Sequence, residues 1–259
     1  MNSQYDILCI SPHQDDIALS TTWLLKEIIK KNNSIKLKLL SCFTITNFAP
    51  ELKTTNIDII SRQRYKEDLS YTKKLSKNNF TVECVGLYDS PLREEWDKKN
   101  NILEPANYYK ENIIEIEKYT LQLIECFKEK SNLNSLVVAP IGLMHKDHII
   151  ASNASTYVFK NSPILFYLDI PYGFEVSNEE TINRVKTVEK FINKELTLIN
   201  SLDEFLLDEW LNILMSYKSQ FSCNDIVAIG NKILINQGER FWACNRAIEL
   251  LNKFSVEFK

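Results

Sequence analysis

The chain has 259 residues, 44% hydrophobic and 25% charged, the balance of an ordinary soluble globular protein large enough to bury a core without disulfide staples. Its formal net charge is −3 and its lysines alternate with acids and asparagines, which leaves no basic footprint for a nucleic-acid partner. No apolar run approaches transmembrane length, and the apolar stretch 5–10 is too short for a signal peptide, so the expected location is the cytoplasm.

Residues 5–11 read as a strand and 16–31 as a helix, with Leu19, Trp23, Leu24 and Ile28 along one face. A strand over 35–44, a helix over 61–75, a strand over 81–87 and a long helix over 109–130 follow. Then come a strand over 136–140, a helix from 147 to about 159 and a strand over 164–170. Continuous apolar strands alternating with helices predict a Rossmann-like, three-layer, doubly wound α/β fold with a mainly parallel sheet in the order 3-2-1-4-5. After Pro171 the segments 178–200 and 202–219 read as helices, 223–229 as a further strand and 239–252 as a last helix. No Pro/Gly/Ser-rich linker interrupts the chain. The expectation is a single domain over 1–259, with a core at about 5–170 and a mostly helical C-terminal extension at about 171–259. Of the six cysteines none forms a C-x-x-C pair; Cys9, Cys42, Cys84 and Cys126 lie in apolar patterns and are expected to be buried, reduced thiols.

The three histidines are not scattered. His13 lies in Ser11-Pro12-His13-Gln14-Asp15-Asp16, and the other two in His145-Lys146-Asp147-His148, about 130 positions away. Each imidazole has a carboxylate within three residues, and these two groups together are the usual ligands of a zinc-type ion. The plain reading of any one aspartate is a helix N-cap, for Asp15 or Asp16 on the first helix and for Asp147 on the fourth. Placement favours the sharper one. The clusters follow the first and fourth strands, which flank the point where a 3-2-1-4-5 sheet reverses its winding and ligands bind.

These residues resemble the PIG-L/LmbE-like family of zinc-dependent de-N-acetylases. Pro12-His13-Gln14-Asp15-Asp16 matches the family's [AP]-H-x-D-D element after strand one, and His145-Lys146-Asp147-His148 its H-x-D-H element after strand four. Weaker matches run in the family's order: Arg64-Tyr65-Lys66-Glu67 for R-x-x-E, Gly86-Leu87-Tyr88-Asp89 for G-L-x-D, Ser219-Gln220 for S-Q and Glu239-Arg240-Phe241 for E-x-F. The resemblance covers most of the chain. It implies Zn2+ (or Fe2+ or another divalent ion in its place) held by His13, Asp16 and His148. It also implies Asp15 as general base, His145 as the imidazole that stabilises the tetrahedral intermediate in its protonated form, and Asp147 as the carboxylate that orients His145. Some members place a tyrosine two residues before the second motif, where this chain has Leu143, so the group that assists the oxyanion is left open.

The activity implied is hydrolysis of an N-acetyl or other N-acyl group on an amino sugar, glycoside or related small metabolite. A homo-oligomer is left open, and neither a nucleic acid nor a membrane is expected as partner. The long connection 88–108, with Asp89, Arg93 and Trp96, is expected to form part of a pocket wall. Arg64 is expected to hold an anionic or hydroxyl group of the substrate, against the plain reading of a surface salt bridge. Trp210 and Trp242 are expected in the core. The rival is a non-catalytic, metal-containing member of the same fold that binds a metabolite or a partner, which would have no use for Asp15 and His145. A nucleotide-binding enzyme is disfavoured by the lack of G-x-G-x-x-G after the first strand, and a serine hydrolase by the lack of G-x-S-x-G.

Overall fold

The computed structural model describes residues 5–93, 113–200, 206–254 and 256. Its elements, in chain order, are β1 (Ile7–Ser11), α1 (Asp16–Lys31), β2 (Leu37–Ile45), α2 (Ile57–Leu75), β3 (Phe80–Tyr88), α3 (Ile113–Glu129), β4 (Leu136–Pro140), α4 (Lys146–Phe159) and β5 (Ile164–Tyr167). There follow α5 (Asn178–Ile192), β6 (Thr197–Asn200), α6 (Leu207–Leu214), α7 (Cys223–Ile235), β7 (Arg240–Ala243) and α8 (Asn245–Lys253).

The seven strands form one sheet in the order β3-β2-β1-β4-β5-β7-β6. The first five are parallel and stand in the order the alternating pattern predicts; β7 joins β5 antiparallel, and β6 joins β7 antiparallel. Every residue of β1 and β4 is buried, as befits strands covered on both faces. α1 packs on α2, and α3 on α4. Right-handed crossovers that run one way from β1 to β3 and then return to β4 put these pairs on opposite faces and leave a crevice at the carboxyl ends of β1 and β4. Trp210 is fully buried and Trp242 nearly so. Among the described residues no helix is long and apolar enough to cross a membrane.

The C-terminal part departs from expectation in four places, one of them the predicted helix 202–219, which among the described residues is helical only over Leu207–Leu214. The predicted helix 178–200 stops at Ile192, where Asn193 takes a left-handed conformation (φ 53°) that ends the helix, and β6 follows. The predicted strand 223–229 is the start of α7, nucleated by a capping box in which the Ser222 side chain accepts from the Asp225 N–H and the Asp225 carboxylate accepts from the Ser222 N–H. The predicted helix 239–252 is divided, because β5 draws Arg240–Ala243 into the sheet before α8 begins. The thiols differ too. All six cysteines are free, and Cys9 and Cys42 are buried, but Cys84 is exposed on the edge strand β3 and Cys126 is half-buried.

Two local devices hold the site end of the sheet. Between β4 and α4, Gly142 adopts φ +86°, and a Cβ there would lie 2.7 Å from Ser152 Cβ and 2.9 Å from Arg184 Nη2. Gly142→Ala therefore combines left-handed strain with overpacking, and is expected to lower unfolding free energy by about 2–4 kcal/mol in a urea titration.

The second device is Glu239, fully buried just ahead of β7. Its Oε1 accepts the Trp23 N–H (2.8 Å) and its Oε2 the Leu24 N–H (3.1 Å), both inside α1. Burial pushes this carboxyl up to about 7, against the pull of the two N–H groups. A carboxyl whose folded pKa exceeds its unfolded value stabilises fully below the unfolded value of about 4.3 and loses that contribution as pH rises through the folded value. Wild type should thus lose about 3 kcal/mol from this group between about pH 4.5 and 8. Glu239→Gln, which keeps one acceptor and cannot ionise, starts about 1–3 kcal/mol less stable. The gap between the two proteins should narrow as pH rises; a gap constant across that range would show that Glu239 does not titrate with folding.

Candidate functional site

The turn after β1 is shaped by its own polar groups. Ser11 Oγ accepts the Ile17 N–H and donates to the His13 carbonyl, while the His13 N–H donates to Asp16 Oδ2 at 2.7 Å. The turn thereby presents His13, Asp15 and Asp16 together at the start of α1. Asp15 occupies the N-cap position, yet its side chain makes no capping hydrogen bond, so the plain cap reading does not account for it. On the other side of the crevice His145 is the N-cap of α4, its Nδ1 accepting the Asp147 N–H at 3.2 Å, and His148 sits in the first turn. The three imidazoles converge, with ring centroids 4.9 Å apart for His13 and His145, 5.4 Å for His13 and His148, and 5.5 Å for His145 and His148.

Asp16 Oδ2 is 3.3 Å from His13 Nδ1 and 3.3 Å from His148 Nε2. Two ligand atoms about 2.1 Å from a tetrahedral ion stand about 3.4 Å apart, so this spacing suits a zinc-type ion. The far nitrogens support the same reading. His148 Nδ1 is 2.7 Å from Asp169 Oδ1, and His13 Nε2 is 3.2 Å from Asp147 Oδ2 and 3.3 Å from Asp89 Oδ1. Carboxylates on those nitrogens favour the tautomers whose lone pairs face Asp16. His148 Nε2 is then a buried atom without a hydrogen bond, directed at a carboxylate oxygen, an arrangement that a cation completes. Among the described residues two groups offer mutually close ligand atoms: His13, His145 and His148, and His13, Asp89 and Asp147. The second is the weaker candidate, because Arg93 Nη2 already neutralises Asp147 at 2.6 Å.

Charge follows geometry. Burial alone would raise Asp16, but His148 and His13 hold it well below the usual carboxylate range. Burial would depress His148 and His13; Asp16 and Asp169 push His148 up to about 9, and Asp89, Asp147 and Asp16 hold His13 well above its ordinary value. Burial pushes Asp15 upward despite the Arg64 guanidinium 3.2 Å from its Oδ1. His145 is lowered to about 3 by burial, and its Nδ1 is occupied as an acceptor. Burial and this contact both favour the neutral ring with hydrogen on Nε2, where the resemblance implies a protonated imidazole.

His13, Asp15, Asp16, Arg64, Asp89 and His145 line one cavity of about 250 Å3, whose rim includes Phe48, Tyr172 and Phe221. A larger cavity of about 390 Å3 lies between α3, α4 and α5 and touches none of these groups.

Several contacts differ from those expected. The Asp147 carboxylate does not bond to His145; it receives His13 Nε2, Arg93 Nη2 and the Ser90 N–H, and only the backbone of Asp147 serves His145. Arg93 is absent from the cavity wall, because its guanidinium is drawn to the fully buried Asp147 and lies over the rings of Phe43 and Tyr119. Arg64 is buried against Asp15 and not exposed for a surface salt bridge. Asp89 lines the cavity and accepts from Thr46 Oγ1 at 2.7 Å. Trp96 lies outside the described residues. Sequence reasoning missed Asp169 and Tyr172, which follow β5. The Tyr172 ring lies 5.6 Å from that of His145 and 5.1 Å from that of His148. The one available signal was their position beyond a strand that neighbours the switch point.

No family model matches the chain, and neither does any curated protein. Solved structures do. A deacetylase of the teicoplanin biosynthesis pathway aligns with a TM-score of 0.63 at 19% identity, over 92% of this chain and 96% of that one. The zinc inhibited form of the teicoplanin deacetylase Orf2 aligns at 0.60 and 17% identity, over 92% and 97%. The N,N'-diacetylchitobiose deacetylase from Pyrococcus horikoshii aligns at 0.54 and 15% identity, over 94% and 85%. The likeness establishes a shared fold over nearly the full length of each chain.

Proposed function

We propose that the chain is a divalent-metal-dependent hydrolase that removes an N-acetyl or other N-acyl group from an amino sugar, glycoside or related small metabolite. The observation that carries this reading is the placement of Asp15. It stands beside His13, Asp16 and His148, spared from helix capping and exposed to the cavity. A binding protein has no use for such a group; a hydrolase needs a base there.

His13, Asp16 and His148 hold the ion, with zinc the expected metal and iron(II) the alternative. When bound, it supplies Lewis-acid polarisation of the amide carbonyl and acidifies a water. Asp15, raised by burial and steadied by Arg64, takes the proton of the attacking water. His145 donates Nε2–H to the oxygen on which charge develops, as a neutral electrophile. Since a neutral imidazole is a poor acid, the proton reaching the leaving nitrogen comes from Asp15, which returns to its carboxylate form. The products are a carboxylate and a free amine. Asp89 and the rim of Phe48, Tyr172 and Phe221 offer a carboxylate and apolar ring faces, which suit hydroxyl groups and a sugar ring. The fold shared with deacetylases, one of them an N,N'-diacetylchitobiose deacetylase, supports the same substrate class.

Asp15→Asn should retain stoichiometric metal and lose about 10²–10⁴-fold in turnover, read as amine release from a panel of acetylated amino sugars and glycosides. Hydrolysis by that variant at near wild-type rate would remove Asp15 from the role of base. Asp16→Ala and His148→Ala should be isolated without metal. Dialysis of wild type against a chelator should abolish turnover, and a divalent ion should restore it; full activity after verified removal of metal would sink the proposal.

A further inference from the structure

The chain beyond β5 contributes a group that the short motifs do not contain. Asp169 is fully buried, and its two oxygens receive three separate donors. Oδ1 faces His148 Nδ1 at 2.7 Å, while Oδ2 accepts the N–H groups of Gly142 at 2.8 Å and Leu143 at 3.1 Å. One carboxylate thus joins an imidazole of α4 to the turn that leads into His145.

We infer that Asp169 is the positioning residue of the metal centre, fixing the tautomer and orientation of His148 and the turn before His145 with a single group; the inference rests on the metal-dependent reading above. Oδ2 is committed to two backbone donors and cannot carry a proton toward either. Of the remaining pair the imidazole is the stronger base, so the proton sits on Nδ1 and the Nε2 lone pair is directed at Asp16. No other common side chain can do this. An asparagine has one acceptor oxygen: turned to the backbone, it meets His148 Nδ1–H with an NH2 group; turned to His148, it meets two backbone N–H groups. A glutamate would carry its carboxylate one methylene farther along than the place where these three donors converge. Loss of such an outer partner weakens metal binding about 10–100-fold.

A control is available in the same turn. Ser152 Oγ donates to the Ile141 carbonyl at 2.8 Å and accepts from Arg184 Nη2 at 2.9 Å. Its hydroxyl braces the turn through these two bonds and neither of them involves His148, so Ser152→Ala loosens the turn and leaves the imidazole alone.

The test is chelator competition with Zn2+ and Co2+ on wild type, Asp169→Asn and Ser152→Ala, alongside urea unfolding of each metal-free protein. Exchange of the His148 Nδ1 proton in the zinc-loaded wild type is followed by NMR. The expected result is a 10–100-fold loss of affinity in Asp169→Asn, affinity within threefold of wild type in Ser152→Ala, and a slowly exchanging Nδ1 proton in wild type. That proton keeps the test decisive if Asp169→Asn fails to fold: fast exchange in wild type would overturn the inference. So would unchanged affinity in Asp169→Asn, or a Ser152→Ala loss that matches it. The two readings fail separately. Wild type that binds no divalent ion overturns both. Wild type that binds the ion with Asp169-dependent affinity but releases no amine from any acylated substrate overturns only the hydrolase reading.

Discussion

The Oδ2 atom of Asp16 is where the two halves of the site meet. It receives the His13 N–H, lies 3.3 Å from His13 Nδ1 and lies 3.3 Å from His148 Nε2. The first two contacts are local, three residues apart on one turn, and shape the loop after β1. The third spans the crevice, and it exists because the sheet sets β1 directly beside β4. Parallel pairing of Ile7 with Leu136 and Cys9 with Val138 therefore reaches the chemistry. It fixes how far apart the two loops emerge, and so whether one carboxylate oxygen can serve both.

Such a site is expensive to bury. Asp15, Asp16, Asp89, Asp147 and Asp169 are all nearly inaccessible, and Arg64 and Arg93 are the guanidinium groups set against them. The two guanidinium groups pair with only Asp15 and Asp147, and unpaired carboxylate charge is costly in low-dielectric surroundings. The upward shift of His13 and His148, caused by the carboxylates beside them, is the same excess of negative charge seen from the imidazoles. His145 does not share in this. Among the described residues no carboxylate bonds to its ring, and burial lowers it. Three histidines within a few ångströms thus shift in opposite directions because their partners differ.

The first five strands and four helices were legible because long apolar strands and amphipathic helices carry their own periodicity. The six residues of the two motifs were legible because the chemistry needs them a few positions apart, next to strand ends that the alternating pattern located. The rest depends on tertiary partners. The run Ile226, Val227, Ala228, Ile229 has no period to separate strand from helix, and only the Ser222–Asp225 box marked it as α7. Phe241 and Trp242 enter the sheet because β5 offers them an edge, which no local propensity announces. Asp169 is one aspartate after a short strand, with no motif around it. Arg93 was legible as a cation near the site, but its commitment to Asp147 in place of the cavity could not be read without a fold.

The weaker motifs, which mean little one by one, act as braces between distant parts of the chain. Glu67 Oε1 and Oε2 accept the Ser219 N–H and hydroxyl, so the R-x-x-E helix and the S-Q segment are tied by one carboxylate. Arg64, one turn before Glu67 on α2, is thereby held against Asp15, and Gln220, next to Ser219, is held at the cavity wall. Glu239 ties the end of the chain to the middle of α1, the helix that begins with Asp16. Their order along the chain carries information for a physical reason. Each brace joins a segment of the C-terminal extension to a helix that bears a site residue, and a site built from so much buried like charge stays closed only if those segments cannot drift apart. The C-terminal extension, which supplies one end of both braces, is therefore part of what holds the crevice at the spacing that Asp16 requires.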